Sequence, residues 1–138
     1  MPDLPLGSGE CDATVRTTRV LIVEDTALIA LCLEDLLADM GWEAVGPASS
    51  VATACALARD ADIDAAIVDV DLNGVMAWEV VTALQRRCVP FMLTTGYDRA
   101  AVVPNSLAGV PVIAKPFSIA EVGSQLRTLM AADQNRVR

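Results

Sequence analysis

The chain has 138 residues, 54% of them hydrophobic but only 4% aromatic, and 10 Lys and Arg stand against 18 Asp and Glu for a net charge of −8. That length suits one domain with an aliphatic, Ala-rich core, and the charge repels phosphate backbones, which argues against nonspecific nucleic-acid binding. With no His in the chain, Ser-His-Asp and Cys-His catalysis, His-ligated zinc and any phosphohistidine step carried by the chain itself are excluded. Cys11, Cys32, Cys55 and Cys88 form no CxxC pair, as expected of free thiols in a reducing compartment. Residues 1–18 lack the pattern of a signal peptide, and the longest apolar run, Ala27 to Leu33, is too short to cross a bilayer. The expectation is a cytoplasmic protein without membrane contact.

Pro2, Pro5, Gly7 and Gly9 make residues 1–18 read as a flexible tail. Val20 to Val23 is an apolar strand stopped by Glu24 and Asp25, and Asp25 or Thr26 is placed to cap a helix running to Met40, with Gly41 as its C′ residue. Ala27 to Leu33 is apolar on all sides, so part of that helix is offered to a partner or buried more than usual. Trp42 to Ala48 is a second strand, and Ser49 or Ser50 caps a helix through about Arg59. Ile63 to Asp69 is a third strand without polar interruption, the pattern of a buried parallel strand. A helix from about Ala77 to Arg87, a strand from Pro90 to Thr95, a helix over Asp98 to Ala108 interrupted at Pro104, and a strand from Val110 to Ala114 follow. In the last helix Ser118 and Glu121 make a capping box, and Ile119, Val122, Leu126, Leu129 and Met130 fall on one face. Residues 19–132 thus form one domain, and 133–138 read as a frayed end.

Five strands alternating with five helices predict an α/β fold, a flavodoxin-like doubly wound parallel sheet in the order 2-1-3-4-5. Strands 1 and 3 are neighbours in that order, so Glu24, Asp25 and Asp69 meet at the sheet's carboxyl edge, with Thr95 and Lys115 at the ends of strands 4 and 5. Three carboxylates so close repel one another and call for a cation. Oxygen ligands favour a hard divalent ion, most naturally Mg²⁺.

Four segments carry a resemblance: Val20-Leu-Ile-Val-Glu24-Asp25, Ile67-Val-Asp69-Val-Asp-Leu72, Leu93-Thr-Thr95-Gly96 and Val112-Ile-Ala-Lys115-Pro116-Phe117. In this order and spacing the chain resembles a receiver domain of the two-component response regulators over about residues 19–132. The run from Pro90 to Tyr97, with Gly109 to Phe117, is similar to the single-domain regulators of alphaproteobacteria. The resemblance implies that Asp69 is a phosphoacceptor, served by a phosphohistidine on a histidine kinase or histidine phosphotransfer protein. It implies that Asp25 ligates Mg²⁺ directly and Glu24 through water, with Asp69 and the main-chain carbonyl of Asp71 completing the protein's share. Lys115, before a cis proline, would meet a phosphoryl oxygen, and a threonine at the end of strand 4 would hydrogen-bond the phosphoryl group; of the pair, Thr95 is chosen because Gly96 follows it and strand alternation would turn Thr94 away.

Two departures bear on the switch. Val112 stands where familiar receivers carry an aromatic residue, with Tyr97 as a candidate substitute, and Asp71 adds a carboxylate two residues after the acceptor. No effector domain follows, so the expectation is a stand-alone, non-enzymatic module. Such a module acts on an unidentified downstream protein by changed binding, or shuttles or drains phosphoryl groups. One alternative is a degenerate receiver used as a phosphorylation-independent binding domain. The other is a Mg²⁺-dependent phosphohydrolase with the Asp69-Val-Asp71 pair, although such enzymes place that pair after the first strand and carry a cap.

Overall fold

The computed structural model describes residues 16–96 and 103–137. Its elements are β1 (Arg19–Val23), α1 (Ala27–Asp39), β2 (Glu43–Ala48), α2 (Val51–Asp60), β3 (Ala65–Asp69), β4 (Asp71–Leu72), β5 (Val75–Met76), α3 (Trp78–Arg86), β6 (Phe91–Thr95), a 3₁₀ turn (Asn105–Leu107), β7 (Val112–Ala114) and α4 (Ile119–Val137). The main sheet runs β2-β1-β3-β6-β7, all parallel. Once the small β4–β5 ribbon is set aside, this is the expected order 2-1-3-4-5. Every residue of β3 and β6 is buried, as a central strand covered on both faces requires.

Alternation along the strands divides the core. Leu21, Val23, Ala66, Val68 and Leu93 face α2 and α3, where small residues (Ala54, Cys55, Ala58) allow close approach beside Val80 and Leu84. Val20, Ile22, Ile67, Met92 and Ile113 face α1 and α4, against Leu33, Leu37, Val122 and Leu126. Ser50 caps α2 through the Thr53 N–H at 3.2 Å, and Ser118 caps α4 through the Glu121 N–H at 3.0 Å. Gly41, at φ 79°, closes α1: its N–H reaches the Ala38 carbonyl at 3.0 Å and the Trp42 N–H reaches Leu37 at 2.8 Å. Those two bonds satisfy carbonyls that the helix end leaves open.

The differences from expectation are local. Strands β2, β3, β6 and β7 begin one or two residues later than their apolar runs, because pairing rather than hydrophobicity sets their ends. Of the helix expected over Asp98 to Ala108, residues 98–102 lie outside the described residues, as does Tyr97, and 105–107 form a 3₁₀ turn anchored by buried Leu107. The last helix stays helical to Val137, past the polar residues where fraying is expected. Among the described residues Cys32, Cys55 and Cys88 are free thiols, with Cys11 outside them, and no helix is long and apolar enough to cross a membrane.

Candidate functional site at the carboxyl edge of the sheet

Strands β1, β3 and β7 all end at one edge, and each delivers a charged residue there because its apolar run stops at that point. Glu24 follows β1, Asp69 closes β3 and Lys115 follows β7. One carboxylate oxygen each from Glu24, Asp25 and Asp69 lies within 4.8 Å of the others, an arrangement able to hold a metal ion. This is the trio expected from the sequence. Lys115 Nζ donates to Asp69 Oδ2 at 2.8 Å and to Glu24 Oε2 at 3.1 Å. A cleft of about 240 Å³ lined by Asp25, Asp69, Asp71, Gly96 and Lys115 opens the group to solvent.

Burial governs the electrostatics. Glu24 is 2% exposed and Asp69 4%. Removal from water pushes the carboxyl of each above its ordinary value, against the opposing pull of hydrogen bonds: the Thr26 N–H and then Lys115 on Glu24, Lys115 and the Asp71 N–H on Asp69. Burial alone draws the Lys115 ammonium down, but Asp69 and Glu24 more than offset it and leave its pKa raised. The cluster therefore favours the charged form of its lysine, while burial makes the ionised form of Glu24 and Asp69 costly. A divalent cation with oxygen ligands fits this donor set.

Asp25 and Asp71 take their places from an element that the sequence reading missed. Asn73 (φ 53°) and Gly74 (φ 88°) form a tight left-handed turn joining β4 and β5 as an antiparallel ribbon. Its Asn73 N–H donates to Asp25 Oδ2 at 2.8 Å, and the Gly74 N–H donates to Asp71 Oδ1 at 2.7 Å. The dipeptide Asn-Gly is the strongest short-range signal for such a hairpin and was legible in the sequence. Asp71 also donates its N–H to Asp69 Oδ1 at 3.1 Å.

The threonines divide differently from the expectation. Asp69 and Thr94 are register partners, so alternation places Thr94 on the face that Asp69 shares rather than turning it away. The Thr94 hydroxyl is buried without a hydrogen-bond partner among the described residues. Thr95 pairs with Ala114 and is 1% exposed. It is tied to Lys115 through the main chain, its carbonyl accepting the Lys115 N–H at 2.8 Å, and it does not line the cleft. The Lys115-Pro116 bond is cis, as the resemblance implies. Val112 packs against the core on the α2/α3 face.

Beside the site, Leu28, Ile29, Cys32, Pro116, Phe117 and Ile119, together with Lys115, line a largely apolar groove of about 410 Å³. Leu28 is 70% exposed and Leu31 52%, so the all-round apolar start of α1 presents hydrophobic surface, as its sequence suggests.

Residues 20–127 match the family described as the response regulator receiver domain. The solution structure of SdrG from Sphingomonas melonis Fr1 is similar at 40% identity and a TM-score of 0.72, over 83% of this chain and 97% of that one. A CheY-like receiver domain protein from Methanospirillum hungatei JF-1 shares the fold at a TM-score of 0.79 and 20% identity, over 88% of this chain and 99% of that one. The transcriptional regulatory protein PdtaR of Mycobacterium tuberculosis is 31% identical over 118 residues, 82% of this chain and 56% of PdtaR. TcrA from the same organism is 31% identical over 130 residues, 89% of this chain and 50% of TcrA. The chain spans about half the length of these curated relatives.

Proposed function

The chain belongs to the receiver domains of two-component response regulators, and on that premise we propose that Asp69 accepts a phosphoryl group from a phosphohistidine of a histidine kinase or phosphotransfer protein. The observation that carries the proposal is the position of the Asp69 carboxylate, at the end of a buried strand, grouped with two acids and bonded to Lys115 Nζ at 2.8 Å. In the transfer, an Asp69 oxygen forms a bond to phosphorus as the phosphorus–nitrogen bond of the donor breaks, and the imidazole keeps the electron pair and takes up a proton. Little covalent assistance is needed, so positioning and charge neutralisation do most of the catalysis. Glu24, Asp25, Asp69 and the main-chain carbonyl of Asp71 would hold Mg²⁺, which when bound neutralises charge on the phosphoryl oxygens.

Lys115 exchanges a carboxylate oxygen for a phosphoryl oxygen, which its long, compactly charged stem permits. Thr95 reaches the phosphoryl group by turning in from its buried position. That movement draws the β6 end inward and alters the neighbouring surface without any new covalent contact. The apolar groove beside α1 suits a helical partner, and it supports docking of the phosphodonor there. The likeness to SdrG supports the receiver reading, in which the domain carries a phosphoryl group and does not act on an external substrate. The output is changed binding of a downstream protein, or onward passage of the phosphoryl group.

The test is incubation with a small phosphodonor and Mg²⁺, read by intact mass, beside Asp69→Asn. One added phosphoryl group in the wild type and none in the variant is the expected result. No addition with any donor would instead leave a binding domain that works without phosphorylation, and steady release of phosphate from external esters would indicate a hydrolase.

A further inference from the structure

We propose that the β4–β5 hairpin is the positioning element of the cation site, with the Asp71 side chain as the brace that keeps it closed. The inference rests on the Mg²⁺ reading above and concerns how this chain keeps its acids in place. Two of the three acids are tied to this one ribbon. Asp69 Oδ1 accepts the Asp71 N–H at 3.1 Å, from the first residue of β4. Asp25 Oδ2 accepts the Asn73 N–H at 2.8 Å, from the turn. Asp25 comes from the β1–α1 loop and is only partly buried, so packing alone does not fix its carboxylate. The turn holds one of its oxygens and leaves the other for a cation. Ligating carboxylates are ordinarily oriented by such outer hydrogen bonds.

The Asn73 N–H can point at Asp25 only while the turn keeps its left-handed geometry, φ 53° at Asn73 and 88° at Gly74. Asp71 Oδ1 secures that geometry by accepting the Gly74 N–H at 2.7 Å. The carboxylate that looks from the sequence like extra charge near the phosphoryl group is thus engaged with its own turn. A continuous path of hydrogen bonds runs from Asp69 through Asp71 and the turn to Asp25, and it fixes the spacing of two acids that electrostatics would push apart.

The experiment is calorimetric titration of the full chain with Mg²⁺ alone, for the wild type, Asp71→Ala, Asp71→Asn and Gly74→Val. Thermal midpoints in chelator are recorded in parallel. Asn keeps an oxygen acceptor for the Gly74 N–H but removes the charge, whereas Ala removes both. At Gly74 an added Cβ meets nothing within 4 Å, so Val perturbs the turn through its backbone angles rather than by collision. Asp71→Ala and Gly74→Val are expected to weaken Mg²⁺ binding about 10-fold or more, the usual effect of losing outer-shell support. Asp71→Asn is expected to keep clearly more affinity than Asp71→Ala, and the midpoints in chelator should barely move for the two Asp71 variants but fall for Gly74→Val, whose side chain is strained at φ 88°. Wild-type affinity in Asp71→Ala and Gly74→Val would overturn the proposal. So would an equal loss in Asp71→Asn and Asp71→Ala, because charge rather than the brace would then be at work. Absence of Mg²⁺ binding by the wild type would overturn the cation-site reading itself.

Discussion

Replacing Lys115 by Ala removes the cation that faces Glu24 and Asp69, and the cost follows from the geometry. Its Nζ sits 2.8 Å from Asp69 and 3.1 Å from Glu24, whose side chains are 5% and 1% exposed, while the lysine side chain is 20% exposed. Deleting one partner of a fully buried ion pair costs about 3–5 kcal/mol. Here the lysine partly reaches solvent and the acids already have raised pKa values, so one of them can relieve the repulsion by taking up a proton. About 2–3 kcal/mol is therefore expected at neutral pH, a fall in Tm of roughly 6–15 °C for a domain of this size. On the cation-site reading, Mg²⁺ binds the folded chain and stabilises it by mass action. Without the ammonium on the same oxygens, Mg²⁺ should stabilise Lys115→Ala more than the wild type. Circular-dichroism melts near neutral pH, in chelator and in excess Mg²⁺, measure both effects. In an Asp69→Asn background the lysine deletion should cost less, since the two groups interact directly. A Tm in chelator within about 1 °C of wild type, or an equal Mg²⁺ gain in both proteins, would refute the reasoning.

The pKa shifts give a pH dependence of definite sign. Glu24 and Asp69 are raised, foremost by burial, so in chelator their contribution to stability is present at acid pH and is lost as pH rises through the folded values. Lys115 is also raised, and its contribution survives neutral pH and is lost only on the alkaline side. The stability of wild type relative to Asp69→Asn, from urea midpoints, should accordingly decline from acid to neutral pH in chelator, while Mg²⁺ affinity rises over the same window as the ligands deprotonate. Leu28→Asp, at a position 70% exposed, should change stability by no more than about 0.5 kcal/mol yet slow phosphotransfer from a helical donor; an unchanged transfer rate would place docking elsewhere. Gly46→Ala should destabilise by about 1–3 kcal/mol in urea unfolding, since Gly46 has φ 94° and an added Cβ would lie 2.8 Å from the Ala48 nitrogen and 3.0 Å from the Ile22 carbonyl.

Much of this molecule was legible in its sequence because apolar runs and carboxylates alternate so sharply. Val20 to Val23 and Ala65 to Val68 read as strands by composition, and the residues that stop them are the ones grouped at the site. Ser50, Ser118 and Gly41 announced helix ends through local hydrogen bonding, which does not depend on the rest of the fold. What escaped depends on partners distant in the chain. Strand starts at Ala65 and Val112 are set by register with neighbours, not by where hydrophobicity begins. The Asn73-Gly74 hairpin was passed over because its strands have two residues each, too few to show alternation. Asp71 beside it reads as a solvated or functional acid until its bond to Gly74 is seen. Thr94 was assigned by counting along one strand, whereas its place next to Asp69 comes from pairing between two.

The order of the sheet leaves β2 and β7 as its borders, and a bare strand border is a template on which another chain can add by main-chain pairing. Both borders are poor templates. Strand β2 begins with exposed Glu43, is irregular opposite Leu21 and Val23, and contains Gly46-Pro47, where Pro47 has no N–H to give. Strand β7 has three residues and is bracketed by Pro111 and Pro116. A chain built this way resists edge-to-edge polymerisation even when concentrated. Neither border offers a main-chain template, so a contact that is made and released without a strand being added to the sheet has only the helical and loop surfaces to use.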